Sequence, residues 1–383
     1  MIWNTVHFES FAPEKATDIS NKIMYRSGPS RHAIFEADSF NSIKNLWMTP
    51  QINFGIHGAS KSSVLADEST VFVGSDTSWF YAFDKFTGNL KWKFYLGEST
   101  RGIHSTAVIE KDFVYVGSYR GSVYKINKYS GALIWMRILG GTVGASPFIE
   151  KDDIVFNVET FRPDGYLIKL NKNSGEIVWQ SDFLGEQSHS SPALSEDGKT
   201  VLVGVNNSTV QAFDYQTGQR KWTTKVLGQI KSTAWIDGPV AYFSNWGKEL
   251  ISIEIETGKI IWQAKLKAAS QVSPAFSKKY GLILIADSNG TTYGVHSKSG
   301  KIIWQWQKEK FKQSSSPILL KIKRDEFFLL YCQVNKLCMI KPENGLLVKT
   351  WDLDGFFTGS LFLEKNKIYF SYNDGPVAAY EFK

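Results

Sequence analysis

Four polar side chains recur at one position of an internal repeat and have the chemistry to form a site. They are His104, His189, Lys231 and Gln271. Neutral imidazole can act as a base or a metal ligand, and the lysine ammonium can polarise a substrate or pair with an anion. The same position is held in the other repeats by Gly144, Ser314, Thr358 and either Ser60 or Lys61. The alternative interpretation is a hydrated rim that binds no ligand.

No metal is expected at this position. A zinc site made only of histidines needs three imidazoles on one centre, and two repeats separate His104 from His189. A third histidine, His57, has a similar Gly-Ile-His context but falls a few residues too early in the alignment. The sequence also lacks a glycine-rich phosphate loop, a Gly-x-Ser-x-Gly elbow and a His-Glu-x-x-His helix.

Polar loops of the same repeats contain side chains that often anchor ligands. They are Trp79, Arg101, Tyr119, Arg120, Arg162 and Trp246. Tryptophan, tyrosine and arginine are the most common binding anchors in interfaces. Since the arginines and Lys231 would converge on one face, we predict that this face binds something anionic or aromatic. Taken singly, each residue is also explained by turn chemistry or surface packing.

A repeated phrase identifies the elements that position these residues. A Thr-Gly or Ser-Gly pair is followed four residues later by tryptophan, and the copies end at Trp92, Trp135, Trp179, Trp222, Trp262 and Trp304. Trp351 ends a degenerate copy, and Trp47 lies in a similar segment. The glycine is expected to supply a positive φ in a turn. The ring is expected to lie against the next sheet, which contributes about 2–3 kcal/mol.

Between successive tryptophans the sequence predicts four antiparallel strands, for example residues 105–109, 113–117, 123–127 and 133–136. Trp47 has no three strands before it, whereas the C-terminus ends with three strands and no fourth. The two fragments should combine into one blade and close an all-β, eight-bladed β-propeller over residues 45–383. Residues 1–44 match no repeat and are expected to form either a partly ordered tail or a lid packed on the body.

Composition excludes several classes of protein. The chain has 383 residues, of which 14% are aromatic, and its net charge of +7 is spread over many short turns. The absence of a Lys/Arg block argues against a nucleic-acid partner. The sequence contains no stretch of about 20 apolar residues, so no transmembrane segment is predicted. The start of the chain lacks signal-peptide features, so we expect a cytoplasmic monomer, or a periplasmic one if a leader has been removed.

Two cysteines, Cys332 and Cys338, are too few for a disulfide framework and lack the spacing of zinc ligands. We expect two reduced thiols. The alternative is a bridge across a hairpin.

The repeats resemble those of a known family. Residues 82–92 and 212–222 are similar to the tryptophan-docking repeat of the pyrroloquinoline quinone (PQQ)-like propellers, as are Ser190-Ser191-Pro192 and Ser315-Ser316-Pro317. The resemblance covers residues 46–383 and implies the propeller fold. The family includes quinoprotein dehydrogenases and an outer-membrane β-barrel assembly lipoprotein, so the resemblance leaves activity open.

The resemblance implies specific requirements that can be compared with the sequence. The dehydrogenases hold PQQ beside a disulfide of adjacent cysteines and a Ca²⁺ ion, and this chain has no adjacent cysteine pair, which disfavours both cofactors. The assembly lipoprotein should have a leader and a lipid-accepting cysteine near its start, whereas the first cysteine of this chain is Cys332.

Three functional hypotheses follow. The preferred one is a non-catalytic scaffold that binds a protein, a peptide or a small anionic ligand on its top face. The second is an enzyme at the channel mouth, acting on a small anionic metabolite with His104 or His189 as base and Lys231 as stabiliser. The third is a quinoprotein dehydrogenase.

Overall fold

The computed structural model describes residues 22–56, 62–307 and 315–383. Every regular element in these ranges is a β-strand, and the strands form eight four-stranded antiparallel blades around a central channel. Apolar side chains of neighbouring blades pack against one another between the sheets. None of the described residues forms a helix long and apolar enough to cross a membrane.

Each blade has four strands, ordered from the channel outward. Blades 1 to 4 consist of Leu65–Ala66, Thr70–Gly74, Trp79–Asp84 and Leu90–Tyr95; Val108–Glu110, Phe113–Gly117, Ser122–Asn127 and Leu133–Ile138; Phe148–Glu150, Asp153–Glu159, Gly165–Asn171 and Ile177–Gln180; and Ala193–Leu194, Thr200–Val205, Thr209–Asp214 and Arg220–Lys225. Blades 5 to 8 consist of Trp235–Asp237, Val240–Asn245, Glu249–Glu254 and Ile260–Lys265; Ala275–Ser277, Leu282–Ala286, Thr292–His296 and Ile302–Trp306; Ile318–Ile322, Asp325–Gln333, Lys336–Ile340 and Leu347–Asp352; and Phe362–Glu364, Lys367–Ser371, Val377–Phe382 and Ile43–Met48.

Blade 8 closes the ring from both ends of the chain. Its outermost strand, Ile43–Met48, pairs antiparallel with Val377–Phe382, and the three C-terminal strands supply the rest of the sheet. This confirms the predicted closure. A short additional pair joins Asn53–Phe54 to Asp374–Gly375 beside this blade.

The repeated tryptophans join each blade to the next. The Trp179 indole N–H donates to the backbone carbonyl of Tyr215 at 2.9 Å, and Gly218 lies beneath the ring at φ 73°. A Cβ at Gly218 would lie 2.7 Å from that ring, so only glycine fits. The same indole bond, at 2.7–3.2 Å, is made by Trp47, Trp92, Trp135, Trp222, Trp262 and Trp304.

Trp351 is the exception among the eight docking tryptophans. Blade 8 has no turn between its third and fourth strands, because its fourth strand comes from the other end of the chain. Trp351 therefore packs edge-on against Phe40 and Phe382, with ring centroids 5.1 and 5.4 Å apart. Ring contacts replace the glycine turn at this one interface.

A second set of blade-to-blade bonds surrounds the channel, and we call these hydroxyl residues the belt. A backbone N–H of one blade donates to a side-chain hydroxyl of the next, as from Ser146 to Ser191 at 2.9 Å. The complete belt comprises Ser63, Thr106, Ser146, Ser191, Thr233, Ser273 and Ser316, joined to blade 8 through the N–H of Ser360. The belt residues hydrogen-bond to the neighbouring blade and not to the second strand of their own blade. The inner strand of blade 2 therefore begins at Val108 rather than at the predicted residue 105.

The described part of the N-terminal extension crosses the lower end of the channel. We call residues 22–40 the plug. Lys22–Met24 pairs antiparallel with the inner strand of blade 2, and Ile34–Ala37 pairs parallel with that of blade 7. Between them the carbonyls of Pro29 and Ser30 accept N–H groups from the inner strands of blades 4 and 5. Residues 1–21 lie outside the described part of the chain.

Two buried arginines fix the plug. Arg31 is fully buried and donates to the carbonyls of Tyr25, Ser146, Pro147 and Pro192 at 2.8–3.1 Å. Inner strands are sheet edges, so these carbonyls have no partner strand. Burial lowers the pKa of Arg31 to about 9.

Arg26 binds the channel wall in the same way from the other side of the plug. It donates to the carbonyls of Pro274 and Pro317 in blades 6 and 7, and burial lowers its pKa to about 10. Within the described ranges no carboxylate pairs with either guanidinium, so carbonyl dipoles stabilise both charges.

The two cysteines form a disulfide, so the expectation of reduced thiols is wrong and the hairpin bridge is the correct alternative. Cys332 and Cys338 lie on the second and third strands of blade 7. The hairpin brings their Cα atoms to 5.7 Å, a normal separation for a disulfide.

Candidate functional site

The upper end of the channel forms a cavity of about 310 Å³. The predicted ring residues in the described ranges all line it: His104, Gly144, His189, Lys231, Gln271 and Thr358. Each lies two residues before a belt residue or its blade 8 equivalent, and alternate residues of an extended chain point the same way. The predictions for His57, Ser60, Lys61 and Ser314 fall outside the described residues. Tyr25 of the plug also lines the cavity, which is therefore blind.

One wall of the cavity is a cluster around Tyr119. The Arg101 guanidinium lies over the Tyr119 ring, 5.7 Å from its centroid, and the His104 ring packs edge-on at 4.4 Å. Gly144 allows this approach, because a Cβ there would lie 2.9 Å from the tyrosine ring. Burial, and then the charge of Glu159, raise the pKa of Tyr119 to about 12. The phenol thus keeps its proton at neutral pH and can donate it to a hydrogen bond.

His189 is held by a buried carboxylate. Its Nδ1 lies 2.9 Å from Oε1 of Glu159, which is the last residue of the second strand of blade 3. The Glu159 backbone is fixed in turn by a two-way bridge with Thr142. A carboxylate at Nδ1 favours a proton on that nitrogen and leaves Nε2 as an acceptor when the ring is neutral.

Lys231 stands against the indole of Trp246 on the opposite wall. The ammonium nitrogen is 3.9 Å from the centroid of the indole ring, a cation–π contact. Burial lowers the pKa of Lys231, and the charge of Glu159 opposes that shift. In the part of the chain that the structure describes, no carboxylate lies within 4 Å of the charged groups of Lys231 and Arg101.

Four predicted ligand-binding residues do not line the cavity, and one of them, Trp246, touches it only through its contact with Lys231. Trp79 packs on Tyr95 of the outermost strand, with ring centroids 5.1 Å apart, so it lies too far out in blade 1. Arg120 is exposed and lies over Gly97. Arg162 is exposed at the tip of a blade 3 loop. The site is therefore smaller than the sequence predicts, because loop residues spread outward along the blades.

Exposed apolar side chains surround the mouth on one side, and we call them the apolar arc. Phe161, Phe183, Leu227 and Trp246 lie in top-face loops of blades 3 to 5 and are 44–90% exposed. Large apolar residues in neighbouring loops are typical of protein-binding surfaces. The repeat phrase does not include these residues, so the pattern that predicts the fold does not predict the arc.

The residues do not fit PQQ with calcium. The disulfide joins cysteines six positions apart inside a hairpin of blade 7, and neither cysteine lines the cavity. Among the described residues there is no group of three or more His, Cys, Asp or Glu side chains placed to hold a metal ion. Among its described residues the cavity thus has neither the adjacent-cysteine platform nor a carboxylate ligand for calcium.

The fold and the site together define a class of protein. A closed ring of eight four-stranded blades that are joined by docking tryptophans is a tryptophan-docking β-propeller. Its channel mouth is lined by positions at which the repeats differ in sequence. A family model described as "Outer membrane protein assembly factor BamB" matches residues 76–236 and 206–380. The chain therefore belongs to this family of PQQ-like propellers.

Individual relatives are distant in sequence. The chain is 24% identical over 259 residues to an outer membrane protein assembly factor BamB of Shewanella oneidensis, covering 63% of this chain and 62% of that protein. The crystal structure of BamB from Moraxella catarrhalis matches with a TM-score of 0.70 at 17% identity, over 89% of this chain and 100% of the other. A europium-containing methanol dehydrogenase matches with a TM-score of 0.76 at 11% identity, over 92% and 90%.

These likenesses have defined limits. The structural matches are below 25% identity and show the fold alone. The chain spans less than two thirds of the length of the curated relatives it matches. What those proteins do is therefore a starting point for proposals about this chain.

Proposed function

We propose that this protein is a non-catalytic binding propeller whose top face recognises a protein partner in the assembly of outer membrane proteins. The observation that carries the proposal is the apolar arc beside a mouth that contains Arg101 and Lys231. Apolar anchors next to cations without a carboxylate partner are the composition of a specific protein-binding surface. Membership of a family described as an outer membrane protein assembly factor supports the same proposal.

We infer that the protein works outside the cytoplasm. Disulfides persist in oxidising compartments such as the bacterial periplasm, and Cys332 is bridged to Cys338. The relatives' description names the outer membrane. These two observations favour the periplasmic alternative over the cytoplasmic one.

We propose that the protein acts as a monomeric ring, without a cofactor and without a nucleic-acid partner. A partner would dock on preformed loops, because the ring, the belt and the plug hold the top face rigid. Binding on a rigid surface loses little conformational entropy.

The test is complementation in the source organism. Deletion of the gene should lower the amount of folded outer membrane proteins, and the wild-type gene should restore it. A Phe161→Ser/Leu227→Ser variant should fail to restore it while remaining folded. The matched control is Phe86→Ser/Tyr129→Ser, which removes side chains of similar exposure, 62 and 63%, from turns on the opposite face. Full restoration by the arc variant would refute the proposal.

One observation favours a catalytic alternative. The pairing of His189 with Glu159 orients an imidazole toward the cavity, as a general base requires. In that case His104 or His189 would act as base and Lys231 would stabilise charge on a small anionic substrate. Turnover that depends on pH and disappears in His189→Ala would support this alternative, whereas unchanged turnover in that variant would reject it.

A further inference from the structure

Arg101, which is exposed, and Lys231, which is partly buried, have no carboxylate partner among the described residues, whereas several buried cations of the molecule have a partner. Lys169 pairs with Asp153 at 3.1 Å, and Lys172 pairs with Glu110 at 2.8 Å. Arg26 and Arg31 are satisfied by backbone carbonyls of the channel. Arg101 and Lys231 instead lie against aromatic faces, and Arg101 also forms a side-chain hydrogen bond with Tyr119 that uses only part of its five N–H donors.

These cations keep donors for a ligand that enters from above. No carboxylate of the described ranges lines the cavity, and the nearby Glu159 is paired with His189. The Tyr119 phenol, the Gln271 amide and the Lys231 ammonium all line the same blind cavity. A set of donors with two positive charges around a closed pocket is complementary to a single carboxylate.

The plug limits what can enter. Tyr25 lines the cavity at its lower end, where the plug crosses the channel, so a ligand is expected to enter from above. A volume of about 310 Å³ is at the lower end of the range for small-ligand sites and accepts a short side chain or a chain end. The apolar arc lies outside the cavity and contacts whatever carries the inserted group, because Trp246 belongs to the arc and also contacts Lys231.

We propose that the cavity is a carboxylate-binding site that takes an acidic side chain or the C-terminal carboxylate of a polypeptide bound on the apolar arc. The inference deepens the proposed function, since it rests on the same protein partner. It defines that partner as a chain that presents an exposed carboxylate next to apolar side chains. The cavity supplies charge selectivity, and the arc supplies apolar contact area.

The test uses three capped peptides and inorganic phosphate, titrated into the full chain. The peptides are acetyl-Phe-Ala-Ala with a free C-terminus, acetyl-Phe-Glu-Ala-amide, and the neutral acetyl-Phe-Gln-Ala-amide. Calorimetry gives the affinity, and the indole N–H signal of Trp246 in NMR spectra reports the place of binding. We expect the free C-terminus or the glutamate peptide to bind at least tenfold more tightly than the glutamine peptide, a difference of about 1.4 kcal/mol.

Variants identify the cations that are responsible. Lys231→Met and Arg101→Met should each weaken binding of the carboxylate peptide at least tenfold, because each removes a charge-assisted hydrogen bond. Lys267→Met, which removes an exposed lysine of the same face, should leave binding unchanged. A melting temperature equal to or above that of the control variant shows that the cavity variants are folded.

Each outcome bears on the inference. The inference would be overturned if neither carboxylate peptide bound more tightly than the glutamine peptide, if phosphate alone bound, or if no probe bound. None of these results would affect complementation by the arc variants, so the carboxylate site can fail while the proposed function stands. Preference for the free C-terminus over glutamate, or the reverse, identifies the source of the carboxylate.

Discussion

Replacing Arg31 by methionine tests whether the plug is an integral part of the ring. Methionine preserves much of the apolar stem but removes every donor of the guanidinium. Four carbonyls, those of Tyr25, Ser146, Pro147 and Pro192, would lose a donor that is fully buried in the channel. The variant thus removes polar contacts while it leaves the volume nearly filled.

The magnitude follows from these contacts. An unsatisfied buried polar group costs about 1–3 kcal/mol, but neighbouring losses are not additive, since one entering water can serve several carbonyls. Loss of the buried Arg31 charge also removes a desolvation cost, as its pKa of about 9 indicates. We expect Arg31→Met to lower the free energy of unfolding by about 3 kcal/mol, which is less than the sum for four separate carbonyls because their losses are not additive.

Arg31→Lys should have an intermediate effect. Lysine retains the charge, but its three donors radiate from one atom and cannot follow the planar fork of the guanidinium. It can therefore serve the carbonyls of one blade and not those of blades 3 and 4 together. We expect a loss of about 1–2 kcal/mol.

The assay is equilibrium unfolding in guanidinium chloride, followed by tryptophan fluorescence and by far-UV circular dichroism. Coincident transitions would justify a two-state free energy. The control is Arg324→Met, an exposed arginine for which a change within about 0.5 kcal/mol is expected. An Arg31→Met variant as stable as this control would refute the assignment of residues 22–40 to the channel.

Three further predictions concern stability. Lys231→Met should be more stable than the wild type at pH 7, because burial disfavours the charged ammonium and lowers the pKa of Lys231. The unfolded chain keeps this proton up to a pH of about 10.5, so the wild type should become more stable as the pH rises toward that value. Urea titrations should show the difference in unfolding free energy between the two proteins closing over that range. Gly218→Ala should cost about 1–3 kcal/mol more than Gly198→Ala, because both glycines have φ 73° but only Gly218 faces a tryptophan ring; equal melting temperatures would contradict this. Reduction of the Cys332–Cys338 disulfide should cost about 2 kcal/mol by loop-closure entropy, and alkylation of native protein without reductant would disprove the bridge.

The sequence predicts the ring well because each copy contains its own interface. The turn glycine and the tryptophan four residues later are local signals, and together they specify a contact with the next blade. The closure of blade 8 follows from counting, since the single strand that contains Trp47 and the three strands after Trp351 add up to one sheet. The positions that line the cavity also follow from alignment, because they precede the belt hydroxyls by a constant two residues.

The plug and the charge pairing within the cavity could not be predicted from the sequence. Residues 22–40 match no repeat, and Arg26 and Arg31 lie around a Gly28-Pro29 pair that indicates only irregular backbone. Their binding partners are main-chain carbonyls, which have no signature in a sequence. The contact between His189 and Glu159 joins residues of adjacent blades at the channel, and repeat spacing does not specify which of several polar loop residues turns inward.

The two ends of the channel satisfy their polar groups differently. In the lower channel the plug pairs with the inner strands of blades 2 and 7, and Arg26 and Arg31 donate to carbonyls of blades 3, 4, 6 and 7. At the upper end the chain supplies the donors instead, from Arg101 and Lys231, and supplies no carboxylate to match them among the described residues. Of these cations Lys231 is retained at a cost in stability, as the lowering of its pKa by burial indicates. Because such a cost is typical of binding sites, the mouth is where the function of this ring should be sought.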